Sequence, residues 1–127
     1  MRRRETESLI MDMPTGKAAS LRAARDAERK ELAKQAEDVS RLLSLLGNAN
    51  RLLILCYLMA RKEMNVGELV EAVDLSQSAL SQHLTKLRED GLVEFRRDSQ
   101  HIYYRIADPR VAKLINVLKK LYCSDLT

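Results

Sequence analysis

The stretch that decides the fold is VGELVEAVDLSQSALSQHLTKLREDGLVEFRRDSQHIYYR, residues 66–105. Its centre, LSQSALSQHLTKLREDGLV at residues 75–93, opens with a serine that can cap a helix and closes near a glycine that can end one. Between them, polar side chains occupy one face and leucines recur at three- and four-residue steps on the other: Leu80, Leu84 and Leu87. This pattern predicts an amphipathic helix over residues 76–90.

Two neighbouring segments complete a recognisable unit. Residues 66–73 form a short amphipathic helix, and Asn65 with Glu68 three positions later resembles a capping box. After Gly91 the period changes to two, so residues 92–97 and 101–106 are predicted strands joined by a short turn. Helix, tight turn, helix and charged ribbon together predict a winged helix-turn-helix, whose second helix enters the major groove of DNA.

The remaining chain adds helices on both sides of this unit. Residues 1–17 lack periodicity and are predicted to be a flexible N-terminal arm. Helical apolar spacing predicts further helices over residues 18–46, 49–60 and 109–122. The expected fold class is therefore mainly α with a small β hairpin: four helices, a hairpin and a final helix.

One domain, residues 18–123, is expected, followed by a C-terminal tail at residues 124–127. The apolar stripes of residues 18–46 and 109–123 exceed what one small core needs. These two outer helices are therefore predicted to be dimerisation helices, which makes the protein a homodimer through its first and last helices.

Charge and hydropathy narrow the partners. The net charge is +4, but residues 75–106 hold five Lys/Arg against four Asp/Glu, so affinity for DNA must depend on where the charges lie. Aromatic residues make up 4% of the chain, which argues against a stacking platform for single strands. The sequence shows no apolar run of membrane-spanning length and no signal-peptide pattern, so no membrane partner and a cytoplasmic location are expected.

Candidate DNA contacts follow from side-chain chemistry. Short side chains with donors and acceptors suit base edges, which selects Gln77, Ser78, Ser81 and Gln82 on the outer face of the predicted helix. The other candidates are mostly cations and polar groups suited to phosphate: Thr85, Lys86 and Arg88 on the helix, and Arg96, Arg97, Gln100 and Tyr103 on the ribbon. An ordinary solvated helix and hairpin would look similar. His83 is either a hydrogen-bonded, half-buried residue or a DNA contact.

The chain has two cysteines, Cys56 and Cys123, and two histidines, all far apart. Zinc prefers four ligands at short spacing, so neither a metal site nor any cofactor is expected. Cys-x-x-Cys, a glycine-rich phosphate loop and a supported Ser-His-Asp arrangement are all missing from the sequence, so it does not resemble an enzyme. Cys56 on its own fits a small buried hydrophobe, whereas Cys123 lies off the apolar stripe that precedes it.

The sequence resembles the ArsR/SmtB family of small dimeric bacterial repressors. The resemblance covers residues 39–123 and rests on LLSLLGNANRLLILCYL, on VGELVEAVDLSQSALSQHLTKLREDGLVEFRRDSQHIYYRI, and on the leucine-rich final helix ending in LYC. It implies a winged-helix dimer that binds double-stranded operator DNA. Within the family, metal sensors carry cysteines in the short helix before the turn, or His and Asp ligands on the last helix. Neither set is present here.

The remaining cysteine pair is similar to that of the BigR/SqrR group, which senses persulfides and other reactive sulfur. The resemblance implies that Cys56 and Cys123 are a sensing dithiol, and that their disulfide or polysulfide bridge releases the operator. Alternatives remain open at this stage: an ArsR-type repressor that responds to general oxidants or to a metal, a small thiol sulfur-transfer enzyme, or a protein that binds DNA without sequence preference.

Overall fold

The computed structural model describes residues 15–122, which form five α-helices and three short β-strands. In chain order they are α1 (Thr15–Leu46), α2 (Ala49–Arg61), β1 (Met64–Asn65), α3 (Val66–Val73), α4 (Gln77–Glu89), β2 (Val93–Asp98), β3 (His101–Ile106) and α5 (Pro109–Tyr122). The predicted order of four helices, a hairpin and a final helix is confirmed. Of the expected N-terminal arm, Thr15 to Lys17 are helical, and residues 1–14 lie outside the described part, as do Cys123 and the expected tail.

The chain divides into two units, Met1–Leu42 and Leu43–Thr127. In the first unit, α1 is exposed at every residue from 22 to 41, which agrees with the weakly apolar sequence there. Leu32 and Val39 on this helix are 57% and 52% exposed. The second unit contains every other described element and the winged helix-turn-helix.

The helix starts of the second unit are fixed by side-chain caps. The Asn48 side chain accepts a hydrogen bond from the Arg51 amide at the start of α2, and Ser76 accepts one from the Ala79 amide at the start of α4. At α3, Asn65 and Glu68 bond each other's backbone amides at 2.8 and 2.9 Å, which is a complete capping box. Each cap satisfies an amide that has no partner within its helix.

The end of α4 turns the chain into the sheet. Gly91 has a φ of +74°, a conformation that residues with a Cβ rarely adopt. The Gly91 and Leu92 amides donate to the carbonyls of Arg88 and Leu87, both at 2.9 Å. This left-handed stop satisfies two orphan carbonyls and starts β2 immediately after the helix.

The sheet has three strands in the order β1-β3-β2. β2 and β3 pair antiparallel from Val93 opposite Ile106 to Asp98 opposite His101, and β1 pairs with the other edge of β3. The hairpin was predicted within one residue. β1 was missed because two residues cannot show an alternation of period two.

The core of the second unit is centred on α2, which packs against α3, α4, β3 and α5. Its buried side chains and those of the facing helices are essentially inaccessible to water: Ile54, Leu55, Leu58, Leu69, Leu80, Leu84, Leu87, Val111 and Ile115. The predicted inner face of α4 is therefore confirmed, and its polar face is directed outward. Within the described residues, no single helix is long and apolar enough to cross a membrane.

Candidate nucleic-acid interface

The outer face of α4 presents the predicted base-reading side chains together. Gln77, Ser78, Ser81 and Gln82 are all exposed, while Leu80 and Leu84 on the opposite side are at most 2% exposed. A shallow groove on this face is lined by Ser78, Ser81, Gln82, Thr85, Lys86 and Glu89. The face thus combines amide and hydroxyl groups with one cation and one acid, which suits hydrogen bonding to base edges more than bulk attraction to phosphate.

Thr85 uses its hydroxyl proton within the helix. Its Oγ1 donates to the Ser81 carbonyl at 2.8 Å, one turn earlier. The methyl group and the oxygen lone pairs of Thr85 remain available on the outer face, so this side chain can contact a thymine methyl or accept a hydrogen bond, but its proton is already committed.

His83 lies on the inner edge of α4 and is half-buried. Burial lowers the pKa of its imidazole, and the positive charges of Arg51 and Lys86 lower that pKa further. Arg51 is itself fixed, because its Nε donates to the Leu45 carbonyl at 2.8 Å. The neutral form of His83 is therefore favoured, which suits a positioning residue between α4 and α2 better than an ionic phosphate contact.

An aromatic side chain connects α4 to the strands. Phe95 on β2 lies under the guanidinium of Arg88, and the Arg88 Cζ atom is 5.0 Å from the ring centroid. The Arg97 Cζ atom is 6.0 Å from the same centroid. Cations above a ring face are attracted to its quadrupole. The contact holds these two predicted phosphate-binding cations near each other, one from α4 and one from the β2–β3 hairpin, which is the wing.

Arg96 is held by a partner that the sequence did not indicate. Its Nε and Nη2 donate to the two carboxylate oxygens of Glu63 at 2.9 and 2.7 Å, and its Cζ lies 4.5 Å from the Tyr103 ring centroid. The hydrogen bond from Arg96 lowers the pKa of Glu63. No local pattern connects residues 33 positions apart. Glu63 directly precedes β1 and Arg96 lies on β2, so the two residues meet because both strands pair with β3. At the wing, Arg96 is thus engaged by the carboxylate of Glu63 and by the ring of Tyr103.

The wing has less available positive charge than its composition indicates. Arg105 donates to Glu94 at 2.7 Å across the strand pair, and Arg96 also lies 3.6 Å from Asp98. Gln100 and Arg97 are exposed at and beside the turn, which begins at Ser99 with a φ of 56°. The turn therefore presents Arg97 and Gln100 outward while two other arginines face acids.

Of the two predicted sensing residues, Cys56 lies within residues 15–122 and Cys123 lies outside them. Cys56 is half-buried on α2, next to the buried Leu55. Cys123 lies outside the described residues, directly after the end of α5 at Tyr122. Among residues 15–122, no group of three or more His, Cys, Asp or Glu side chains is placed to hold a metal ion.

Comparison with known proteins agrees with this geometry. Residues 48–94 match the family described as bacterial regulatory protein, arsR family. The chain is 44% identical over 94 residues to the transcriptional activator HlyU of Vibrio cholerae, covering 74% of this chain and 86% of the relative. It is 38% identical over 97 residues to the biofilm growth-associated repressor of Xylella fastidiosa, covering 76% and 84%.

Solved structures extend the likeness to the fold. Reduced HlyU from Vibrio cholerae superposes with a TM-score of 0.71 at 44% identity, covering 74% of this chain and 98% of that structure. The repressor BigR from Xylella fastidiosa gives a TM-score of 0.67 at 38% identity, covering 75% and 96%. The fold and the exposed helix define a winged-helix transcriptional regulator. The chain belongs to the arsR family of bacterial regulatory proteins, which confirms the resemblance found in the sequence.

We expect Ser81→Ala to lower affinity for an operator selected from random duplexes about tenfold, because one good base contact contributes ~1–3 kcal/mol. Affinity for unrelated duplex should stay unchanged, since phosphate contacts are retained. Fluorescence anisotropy at fixed salt measures both. Ser40→Ala, at another exposed serine on α1, is the matched control. Equal losses on both duplexes would remove Ser81 from the base-reading set.

The two adjacent wing arginines should behave differently. Arg97→Ala should weaken binding to all duplexes and reduce the slope of log affinity against log salt by about 1, with little change in melting temperature.

Arg96→Ala should lower the melting temperature instead. Because Arg96 lowers the pKa of Glu63, its stabilising effect is fully present above the ordinary Glu pKa of 4.5 and is lost as pH falls through the lowered pKa. If Arg96→Ala and the wild type had the same melting temperature at pH 7, the stabilising role of Arg96 would be contradicted.

Proposed function

We propose that this protein is a dimeric repressor that binds operator DNA through α4 and the wing, and that releases it when Cys56 and Cys123 are joined by reactive sulfur. The observation that carries the DNA-binding part is the exposed polar face of α4, supported on a fully buried inner face. Family membership supports transcriptional regulation as the purpose of that binding.

The base contacts we propose are Gln77, Ser78, Ser81 and Gln82. Lys86, Arg88, Arg97 and Gln100 would hold the phosphate backbone on either side, and Thr85 would contribute its methyl group or an acceptor. Because Glu63 and Glu94 already hold Arg96 and Arg105, few cations of the wing remain for unspecific attraction. Specificity would then come from a small number of hydrogen bonds, each worth ~1–3 kcal/mol.

Exposed apolar side chains support the homodimer. On α5, Val117, Leu121 and Tyr122 are 50%, 70% and 81% exposed, although the same helix buries Val111 and Ile115 against the core. Leu43 at the end of α1 is 53% exposed. Large apolar side chains concentrated on one helix indicate a partner surface. A two-fold dimer would place two copies of α4 about one DNA turn apart, roughly 34–36 Å, as two half-sites require.

The position of α2 supports the proposed switch. Cys56 is on the helix that packs against both α4 and α5, and Cys123 follows the last residue of α5. A covalent bridge between the two residues would fix α5 relative to α2. Since α5 also carries the proposed dimer surface, the bridge would change the distance between the two α4 helices and weaken binding.

The chemistry balances with a low-molecular-weight persulfide as the oxidant. One cysteine thiolate attacks the terminal sulfur of R–S–SH, which yields a protein persulfide and releases the thiol RSH. The second thiolate attacks the cysteine sulfur of this persulfide, so the disulfide forms and hydrosulfide leaves with the electron pair. If the second cysteine has also been converted to a persulfide, the same attack leaves one additional sulfur in the bridge.

The experiment compares operator affinity of reduced, glutathione-persulfide-treated and peroxide-treated protein for the wild type, Cys56→Ser and Cys123→Ser. We expect persulfide to lower wild-type affinity at least tenfold, because coupling between sites is typically ~1–3 kcal/mol. Both variants should bind operator normally when reduced, which controls for folding, and should keep binding after treatment.

Release of operator from either treated single variant would contradict the two-cysteine bridge. Equal release by peroxide would contradict selectivity for sulfur and leave a general oxidant response. Mass spectrometry of the treated wild type distinguishes the two bridges, since an additional sulfur adds about 32 Da over the disulfide.

A further inference from the structure

The single phenylalanine of the chain, Phe95, lies where α4 meets the wing, and two arginines share its ring. Arg88 comes from the end of α4, and Arg97 comes from β2. Their Cζ atoms are 5.0 and 6.0 Å from the ring centroid. Phe95 is half-buried, while both arginines are exposed. A partly covered ring therefore contacts two exposed cations that come from different elements.

The ring of Phe95 is itself fixed by the sheet. Phe95 on β2 is the register partner of Tyr104 on β3. The centroids of the two rings are 5.6 Å apart, and their planes are inclined by 42°. Aromatic pairs at this separation attract each other. Because the paired strands and the Tyr104 ring hold Phe95, the ring determines where the two guanidiniums lie.

Arg88 and Arg97 also differ from the other two arginines of the wing, each of which forms an ion pair with a glutamate. Within residues 15–122, neither Arg88 nor Arg97 forms an ion pair with a carboxylate. Two like charges held near one ring repel each other. A bound anion removes that repulsion, and phosphate is the anion that α4 and the wing would meet on DNA.

Building on the proposed binding of DNA through α4 and the wing, we propose that Phe95 is a positioning residue that presents Arg88 and Arg97 as one preorganised pair to the phosphate backbone. An unrestricted arginine side chain loses rotamer freedom when it meets a phosphate. Because the ring already restricts both guanidiniums, less of that freedom is lost on binding. The gain is independent of base sequence, since every duplex presents the same phosphates.

Removal of the ring with both cations kept tests the positioning role. Phe95→Leu should lower affinity for operator and for unrelated duplex about fivefold, because two arginines regain rotamer freedom that binding must then remove. Phe95→Tyr keeps the ring face and should stay within about twofold of the wild type. Fluorescence anisotropy at fixed salt measures each affinity, and the melting temperatures of the free variants show that they are folded.

A background without the two arginines separates positioning from a structural role. Arg88→Ala/Arg97→Ala should weaken binding to every duplex and reduce the slope of log affinity against log salt by about 2. Added to this variant, Phe95→Leu should change affinity by less than about 1.5-fold, because no cation remains for the ring to position. A residue that only stabilised the wing would lower affinity by the same factor in both backgrounds.

The possible outcomes distinguish this role from the proposed function on which it depends. If Phe95→Leu bound like the wild type, lost the same factor in both backgrounds, or lost no more than Phe95→Tyr, the positioning role would be overturned while DNA binding stood. If Arg88→Ala/Arg97→Ala bound like the wild type, the proposed phosphate contacts would be wrong, and the role of Phe95 would be overturned with them.

Discussion

The packing of α2 against α3, α4, β3 and α5 is the constraint on which the rest of the winged helix depends. Ile54, Leu55 and Leu58 are at most 1% exposed, so this helix cannot shift without disturbing several neighbours at once. Because the leucines of α4 are buried against this core, the polar face of α4 is exposed to solvent. The proposed DNA-reading surface is thus a consequence of core packing, and the same packing places α2, the helix that carries Cys56, against α4.

Local signals predicted most of the fold. Asn65 with Glu68, Ser76 and Gly91 each produced the cap or stop that their chemistry indicated, because such hydrogen bonds involve residues one turn apart. The outer face of α4 followed equally from periodicity. The missed features depend on distant pairing: β1 exists only because β3 lies beside it, and Arg96 meets Glu63 only after the sheet forms. Arg96 was therefore predicted as a DNA contact, whereas the structure engages it with an acid and a ring.

On the surface formed by α4 and the wing, the positions of the charged side chains matter more than the net charge. The winged helix carries nearly balanced charge, and Glu63 and Glu94 each hold an arginine that composition alone would assign to DNA. Such a surface gains little from unspecific attraction and must discriminate by hydrogen bonds. In the proposed homodimer, binding would also be sensitive to the spacing of the two copies, since weak contacts in one half-site cannot compensate for a lost second half-site. Control of this spacing by the proposed sulfur bridge would suit such a surface.

The central claim is that the exposed face of α4 reads DNA sequence. Its most direct test is the affinity ratio between a duplex selected from a random pool and a scrambled duplex of equal length, measured across a salt series. A sequence-reading protein should show a ratio of at least about 10³ at physiological salt. The ratio should persist while both affinities fall with salt, because counterion release affects both duplexes. A ratio near one with a steep salt dependence would contradict the claim and indicate binding to phosphate alone.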